Sequence, residues 1–320
     1  MRSALIDYLC PSGHIPIIQF YVTNLKEKFK NIYINSKIKN DLKNKKKIDF
    51  INIKNNFVFK ILQLIKVFKF LKKNKINKIL MLSYNPYDLF FLGLFVNLND
   101  FKIFIFDHDT LNQNKIFKFF IINYLNKNIT HIVYTPQKKK LLKFKFRRKA
   151  FISNHPIIKD KQYKKIKTNK KIILIPTRHH FRKSLIKNFI NINSGFYFYI
   201  LSKKSNLKKN LFSKLKNIKL IEYIKDKDIN KITGIYLPLD ETVYKYRISA
   251  WLYKAIAFNK KIILENNNLY RFEKRRFPTY ILLNKQTSFL NYNFKIKKAF
   301  KVNKYNSLLL KKLKRNILMI

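Results

Sequence analysis

The chain has 320 residues, 47% of them hydrophobic, and carries 70 Lys and Arg against 16 Asp and Glu, a formal net charge of +54. This length and hydrophobic content predict about two folded domains and exclude a disordered chain. The single Cys10 excludes an intrachain disulfide and a cysteine-based zinc site, and the longest uncharged apolar run, Leu89 to Val96, is too short to span a membrane.

The positive charge has two interpretations. Most of it comes from Lys, since Arg occurs at only ten positions, and the abundant Lys, Asn, Ile, Phe and Tyr share AT-rich codons. A biased genome therefore explains much of the charge, and a nucleic-acid-binding surface is the alternative. Such a surface also attracts anionic lipid and phosphorylated substrates. The run Met1–Asp7 carries an acid and is not typical of a signal peptide, so we expect a cytoplasmic protein, with peripheral attachment to the inner face of the cytoplasmic membrane left open.

In the first half of the chain, short apolar runs alternate with longer amphipathic stretches, which predicts alternating strands and helices. The predicted strands are Ala4–Leu9, Asn31–Asn35, Ile48–Ile53, Lys78–Ser83, Ile103–Phe106, His131–Tyr134 and Phe151–Ser153. The predicted helices are Pro16–Phe29, Phe57–Lys73, Tyr87–Asn97 and Lys115–Leu125. A Lys-rich, apolar-poor segment from Lys159 to Lys171 then predicts a linker.

The second half repeats the alternation. The predicted strands are Ile172–Ile175, Phe196–Leu201, Lys219–Tyr223, Gly234–Leu237 and Lys261–Leu264. The predicted helices are Phe181–Ile192, Leu207–Leu215, Ser249–Phe258 and Tyr305–Leu318, with irregular structure after Asn266. Two such series predict an α/β fold with two Rossmann-like domains, residues 1–157 and 158–320, whose terminal helix can pack back on the first domain. Parallel sheets bind ligands beyond the carboxyl ends of their strands, so we expect a site in the cleft between the domains.

Two polar segments follow predicted strands of the first half. Gly13 allows close approach of the backbone to a ligand, and His14 lies at the carboxyl edge of the sheet, although the segment also fits an ordinary tight turn. Asp107, His108 and Asp109 end an apolar strand, where neighbouring carboxylates can orient a histidine as a general base. A helix N-cap at Asp109 is an alternative that is compatible with this role.

Two basic segments follow strands of the second half. Arg178, Arg182 and Lys183 open a predicted helix and are suited to clamping a diphosphate, although a solvated basic turn explains them too. Ser249 is typical of a helix N-cap, and Arg247 beside it is informative because Arg is scarce in this chain. Together they predict a phosphate site, and a structural cap with a surface Arg is the alternative.

The stretches Tyr246–Ala250 and Ala255–Ile263 resemble the donor-binding region of nucleotide-sugar glycosyltransferases of the GT-B fold. The Gly13-His14 loop, the strand end Phe106–Asp109 and the turn Asn154–Pro156 are similar to the same superfamily. The resemblance implies two Rossmann-like domains that face each other across a cleft. It also implies an acceptor bound by the first domain, a nucleotide-diphosphate sugar bound by the second, and synthesis of a surface polysaccharide, lipopolysaccharide or capsule.

The resemblance, read together with these segments, gives a set of expected roles. They are His108 and Asp107 in catalysis; Arg178, Arg182, Lys183, Glu241, Arg247 and Ser249 in donor binding; and Gly13, His14 and Asp109 in acceptor binding. His108 would remove the acceptor hydroxyl proton in an inverting enzyme, or would contact the sugar in a retaining one. We expect no metal and no cofactor besides the donor, because Arg178, Lys183 and Arg247 can compensate the charge of the leaving diphosphate.

Two other functions stay open. A basic nucleic-acid-binding protein would bind with steep salt dependence, although the Lys residues are spread over both halves of the chain. A catalytically inactive GT-B-fold protein is the other, because Tyr246 and Lys254 stand where many retaining members carry Glu.

Overall fold

The computed structural model describes residues 3–10, 14–43, 45, 47–53, 56–107, 116–158, 171–176, 182–201, 217–239, 249–266 and 268–318. These residues form two compact units. The first unit takes the described residues up to Pro156 together with those from Asn303 onward, and the second takes those between Ile157 and Val302.

The first unit is built on a seven-stranded parallel sheet. Its strands are β1 Ser3–Asp7, β2 Asn31–Asn35, β3 Asp49–Ile51, β4 Lys78–Met81, β5 Lys102–Phe106, β6 Ile129–Val133 and β7 Lys149–Ile152. They lie in the order β3-β2-β1-β4-β5-β6-β7, and every neighbouring pair is parallel. The order reverses between β1 and β4, which defines the ligand-binding edge of such a sheet.

Helices cover this sheet between its strands. They are α1 Ile15–Leu25, α2 Phe57–Lys73, α3 Pro86–Phe95, α4 Ile116–Tyr124 and α5 Pro136–Phe144. Asn56 starts α2, since its side chain accepts a hydrogen bond from the Phe59 amide at 3.1 Å. Helix α2 then buries Leu64, Phe68 and Leu71 at helical spacing in the same core as the buried strands.

The second unit is built on a six-stranded parallel sheet. Its strands are β8 Ile172–Pro176, β9 Tyr197–Leu201, β10 Ile218–Ile221, β11 Gly234–Leu237, β12 Lys261–Glu265 and β13 Ile281–Asn284. They lie in the order β10-β9-β8-β11-β12-β13, so the strand order reverses between β8 and β11. All neighbouring pairs are parallel.

The remaining helices complete the fold. They are α6 Lys183–Ile192, α7 Asp226–Ile229, α8 Ala250–Ala257, α9 Asn268–Arg276 and α10 Val302–Leu318. From Asn303 onward, α10 belongs to the first unit. Its Tyr305 hydroxyl donates a hydrogen bond to the His155 carbonyl at 3.1 Å. None of the described helices is long and apolar enough to cross a lipid bilayer.

The predicted α/β class with two parallel sheets is confirmed. The elements differ from the prediction at two places, and one predicted helix is not described. Helix α5 was not predicted, although Thr135 and Pro136 are a helix-start pair and the Thr135 hydroxyl caps the Lys138 amide at 3.2 Å. The irregular structure expected after Asn266 is wrong, because α9 and β13 lie there. Their signals are weak: α9 is largely polar and β13 has only four residues. The predicted helix Leu207–Leu215 lies outside the described residues.

Candidate functional site

A cavity of about 570 Å³ lies at the carboxyl edge of the second sheet. Its lining residues are Arg182, Leu185, Leu239, Glu265, Asn266, Asn284, Lys285 and Gln286. They lie at or beyond the carboxyl ends of β8, β11, β12 and β13, and the strand order reverses between β8 and β11. The volume is within the range of about 300–1,000 Å³ that is usual for small-molecule sites. The position and the size together define this cavity as the candidate binding site.

The cationic side of the cavity is formed at the start of α6. Arg182 is the N-cap residue of α6, and Lys183 is its first residue; both side chains are exposed. No acidic residue lies in the first turn of the helix. The helix dipole and the first amides favour an anion there, and a guanidinium can bind two phosphate oxygens at once. Lys285 adds a second exposed cation to the cavity lining.

A carboxylate held by hydrogen bonds lies at the end of β12. The buried Tyr236 hydroxyl donates to Glu265 Oε1, and Asn284 Nδ2 donates to the same oxygen at 3.1 Å. Burial, followed by the charge of Glu265, raises the pKa of Tyr236 well above its ordinary value, so this hydroxyl remains a donor. The Tyr236 ring stacks on Phe189 with centroids 3.9 Å apart. Because both bonds go to Oε1, Oε2 is the oxygen suited to accept a ligand hydroxyl.

A tight turn after β13 completes the lining. Asn284 Oδ1 accepts a hydrogen bond from the Gln286 amide at 2.9 Å, so one Asn side chain fixes both the turn and Glu265. Gln286 has a φ of +60°, in the left-handed region that side chains other than glycine rarely adopt. Such conformations are kept where the surrounding structure fixes them, often at binding sites.

Ser249 occupies the predicted N-cap position of α8. Its carbonyl accepts the Leu252 amide at 3.1 Å, but its hydroxyl makes no capping bond to the first turn. The hydroxyl is therefore not committed to the helix. Contact of Ser249 with a donor stays a prediction, since Ser249 does not line the cavity described above.

In the first unit, Asp107 directly follows β5 and is fully buried. Lys138 Nζ lies 2.7 Å from Asp107 Oδ1 and donates to the Asp107 carbonyl at 2.6 Å, while His131 Nδ1 lies 3.2 Å from Oδ2. Burial alone would raise the pKa of Asp107, but the Lys138 charge and the His131 contact outweigh it and hold the pKa well below its usual range. The carboxylate of Asp107 is thus ionised and a weak proton acceptor.

Sequence reasoning missed a second buried carboxylate, Asp7, the last residue of β1. The Ser83 hydroxyl and the Cys10 amide both donate to Asp7 Oδ1, the amide at 3.0 Å. Burial raises the pKa of Asp7 to about 6, although these hydrogen bonds lower it. Asp7 therefore titrates at about pH 6. It lies at the end of β1, one of the two strands between which the strand order of the first sheet reverses. The signal in the sequence was an acid inside an apolar run that leads into a loop.

The other predicted residues divide into two groups. His14 is described as the half-buried N-cap residue of α1, without a side-chain capping bond. Those outside the described residues are Gly13, His108, Asp109, Arg178, Glu241 and Arg247, and their roles stay predictions. Within the described part of the chain, no group of three or more His, Cys, Asp or Glu side chains is arranged to hold a metal ion.

No protein-family model matches the sequence, and no curated protein is significantly similar to it. Solved structures are similar in fold over almost the whole chain. A glycosyltransferase from Rickettsia africae has a TM-score of 0.62 at 15% identity, covering 98% of this chain and 91% of its own. The Anabaena protein HepE, in complex with UDP, has a TM-score of 0.62 at 10% identity, covering 99% and 92%.

A UDP-GlcNAc 2-epimerase from Neisseria meningitidis, bound to UDP-GlcNAc, is also similar, with a TM-score of 0.53 at 13% identity and coverage of 99% and 100%. At these identities the likeness establishes the fold and nothing finer. The chain has the two-domain GT-B fold that its motifs predicted.

Proposed function

We propose that this chain is a glycosyltransferase that moves a sugar from a nucleotide-diphosphate donor to a saccharide or lipid-linked acceptor. The observation that carries the proposal is the second-unit cavity, which combines the cations Arg182 and Lys285 with the hydrogen-bonded carboxylate of Glu265. Two similar structures hold UDP or UDP-GlcNAc, which supports a uridine nucleotide sugar as the donor class.

The cavity suits the two parts of such a donor. Arg182, Lys285 and the α6 amides would bind the diphosphate and stabilise the negative charge that develops on it as the sugar leaves. Glu265 Oε2 would accept a hydrogen bond from a sugar or ribose hydroxyl. Leu185 and Leu239 supply the apolar surface that a nucleoside ring requires.

The acceptor is assigned to the first unit. His108 would take the proton of the acceptor hydroxyl as its oxygen attacks the anomeric carbon and the bond from that carbon to the diphosphate oxygen breaks. Asp107 would position His108, because Lys138 holds both the carboxylate and the backbone carbonyl of Asp107. The low pKa of Asp107 disfavours direct proton transfer by its own carboxylate.

The biological setting of the proposal is synthesis of a surface polysaccharide, lipopolysaccharide or capsule in the cytoplasm. A lipid-linked acceptor would bring the enzyme to the inner face of the cytoplasmic membrane as a peripheral protein.

A thermal-shift panel of UDP, GDP, CMP and their sugars tests donor binding. A ligand that binds only the folded state raises its stability in proportion to ln(1+[L]/Kd). Arg182→Ala should weaken binding of the preferred nucleotide by about ten- to a hundredfold, the usual loss of a charge-assisted contact. Lys187→Ala, an exposed cation on α6 one turn further on, is the matched control and should bind as the wild type does. No shift with any nucleotide, or equal affinity for both variants, would contradict the proposal.

The products then separate the remaining alternatives. Release of nucleotide diphosphate only when acceptor saccharides are added supports transfer. An isomerised nucleotide sugar without nucleotide release would indicate an epimerase, the activity named for the Neisseria structure. Binding without turnover would indicate an inactive GT-B-fold protein, and tight, salt-sensitive binding of DNA or RNA without nucleotide binding would indicate a nucleic-acid-binding protein.

A further inference from the structure

Three consecutive helices of the first unit expose large apolar side chains to solvent. We call this surface the α2–α4 apolar face, and its members are Phe57, Val58, Leu62, Phe91, Leu94, Phe95, Phe120 and Tyr124. Leu94 and Phe95 are each 63% exposed. Soluble monomers rarely expose apolar patches of this kind without a use for them.

The members form one surface. Helix α3 contacts both α2 and α4, and the rings of Phe57 and Phe91 meet across α2 and α3 with centroids 5.1 Å apart. Each helix presents a pair four residues apart, which places both side chains on one side of the helix. The pairs are Val58 and Leu62 on α2, Phe91 and Phe95 on α3, and Phe120 and Tyr124 on α4.

The same helices bury other apolar residues in the core. Helix α2 buries Leu64 and Phe68, α3 buries Leu89 and Leu92, and α4 buries Ile122. The exposed residues are therefore not part of the core packing, and the fold does not require them to be apolar.

The charge that helix α2 presents beside the face is positive. Helix α2 has no acidic residue and carries four exposed lysines, Lys66, Lys69, Lys72 and Lys73. Among the described residues of α3 and the turn after it, buried Asp88 pairs with Lys60 at 2.8 Å, and Asp100 pairs with Lys72 at 2.6 Å, so Lys72 is the one lysine of this row whose charge is partly balanced. An apolar centre beside a row of lysines matches the surface of a bilayer that contains anionic lipid.

The charge also argues against other occupants. Two copies of this chain would bring equal positive charge together, with +54 on each. A nucleic acid would use the lysines and could stack bases on the rings, but it would leave the exposed aliphatic side chains Val58, Leu62 and Leu94 in water. An anionic bilayer uses both features.

We propose that the α2–α4 apolar face is a docking surface for an anionic lipid bilayer, with Leu94 and Phe95 inserted among the lipids and the α2 lysines against the headgroups. The biological purpose of this docking rests on the proposed function, because a glycosyltransferase would meet a lipid-linked acceptor at a membrane. Docking itself requires no donor.

Flotation with vesicles at physiological salt tests the proposal on the full chain. The vesicles are either pure phosphatidylcholine or phosphatidylcholine with about 30% phosphatidylglycerol, a composition on the order of an anionic leaflet. The test variant is Leu62→Ser with Leu94→Ser and Phe95→Ser. The matched control is Tyr223→Ser with Tyr292→Ser and Leu308→Ser, which removes three exposed apolar side chains elsewhere.

We expect the wild type and the control to float with anionic vesicles and to bind neutral vesicles at least about tenfold less well. The test variant should bind anionic vesicles at least about tenfold more weakly than the control, because its inserted side chains are gone. Circular dichroism and the melting temperature establish that both variants are folded.

Three outcomes would overturn the docking surface. They are a wild type that stays unbound, a test variant that binds as the control does, and a wild type that dimerises without vesicles while the test variant alone stays monomeric. Failure of flotation with an intact nucleotide thermal shift would remove this inference and leave the proposed function. Flotation without any thermal shift by a nucleotide would remove the proposed function and leave the docking surface.

Discussion

Replacing Lys138 with Met should destabilise the first unit through Asp107. Lys138 Nζ lies 2.7 Å from Asp107 Oδ1 and 2.6 Å from its carbonyl oxygen, and both side chains are almost completely buried. Met keeps most of the side-chain volume but leaves a buried carboxylate without its cation, which costs about 3–5 kcal/mol. His131 still contacts Oδ2 at 3.2 Å, so we expect a loss of about 3 kcal/mol. The pKa of Asp107 should rise, because the Lys138 charge no longer opposes the effect of burial.

Denaturant unfolding at neutral pH measures the effect on four proteins: wild type, Lys138→Met, Asp107→Asn and the double variant. The double variant should be more stable than the sum of the two single losses predicts, because it contains no unpaired buried charge. Lys60→Met is the control. Burial already raises the pKa of its partner Asp88 despite Lys60, so that carboxyl accepts a proton more readily and the loss should be smaller. Two results would contradict this coupling between Lys138 and Asp107. They are a loss below about 1 kcal/mol for Lys138→Met, and a loss in the double variant that equals the sum of the two single losses.

Three further predictions concern other positions. The pKa of Asp7 is about 6 in the folded chain against 3.8 ordinarily, so the folded state binds the extra proton and loses up to about 3 kcal/mol as pH rises through this range. Asp7→Asn should remove this dependence of the unfolding free energy on pH. The prediction is contradicted if the variant and the wild type differ in unfolding free energy by the same amount at about pH 4.5 and at about pH 7. Gly234→Ala should destabilise by about 1–3 kcal/mol because its Cβ would lie 2.7 Å from the Phe294 ring, whereas Gly93→Ala, with its nearest contact at 3.4 Å, should be neutral or stabilising in a melting experiment. Tyr236→Phe removes a hydrogen bond to the cavity carboxylate and should weaken nucleotide-sugar binding several-fold by calorimetry while the protein stays folded; unchanged affinity would count against that carboxylate as a ligand.

Much of the fold was predictable because the pattern of apolar residues is strong. Strand β2 and helix α2 begin and end where the pattern predicts, since β2 is a short, almost fully buried apolar run and α2 buries apolar residues at helical spacing. Strand β4 ends at Met81, before the predicted Ser83, whose hydroxyl turns to Asp7. Such side-chain contacts between distant segments leave no local signal in the sequence.

The candidate site was predicted less completely, for the same reason. Arg182 was predicted to bind the donor from its place at the start of a predicted helix; it lines the cavity, and its contact with a donor stays a prediction. Glu265 was missed because it directly follows a predicted strand that looks purely structural, and Asn284 because β13 itself was not predicted. Only the pairing of β12 with β13 brings the two residues together. Lys138 was missed because its partner Asp107 lies 31 residues away in the sequence.

Hydrogen–deuterium exchange with and without saturating UDP tests the central claim most directly, because it reports where the nucleotide binds. We expect slower exchange in peptides that contain the start of α6 and the ends of β12 and β13, around Arg182, Glu265 and Gln286. Peptides around Asp7 and Asp107 in the first unit should exchange as before. Slower exchange confined to the first unit, or none in the second-unit cavity while UDP is bound, would contradict the assignment of the donor site.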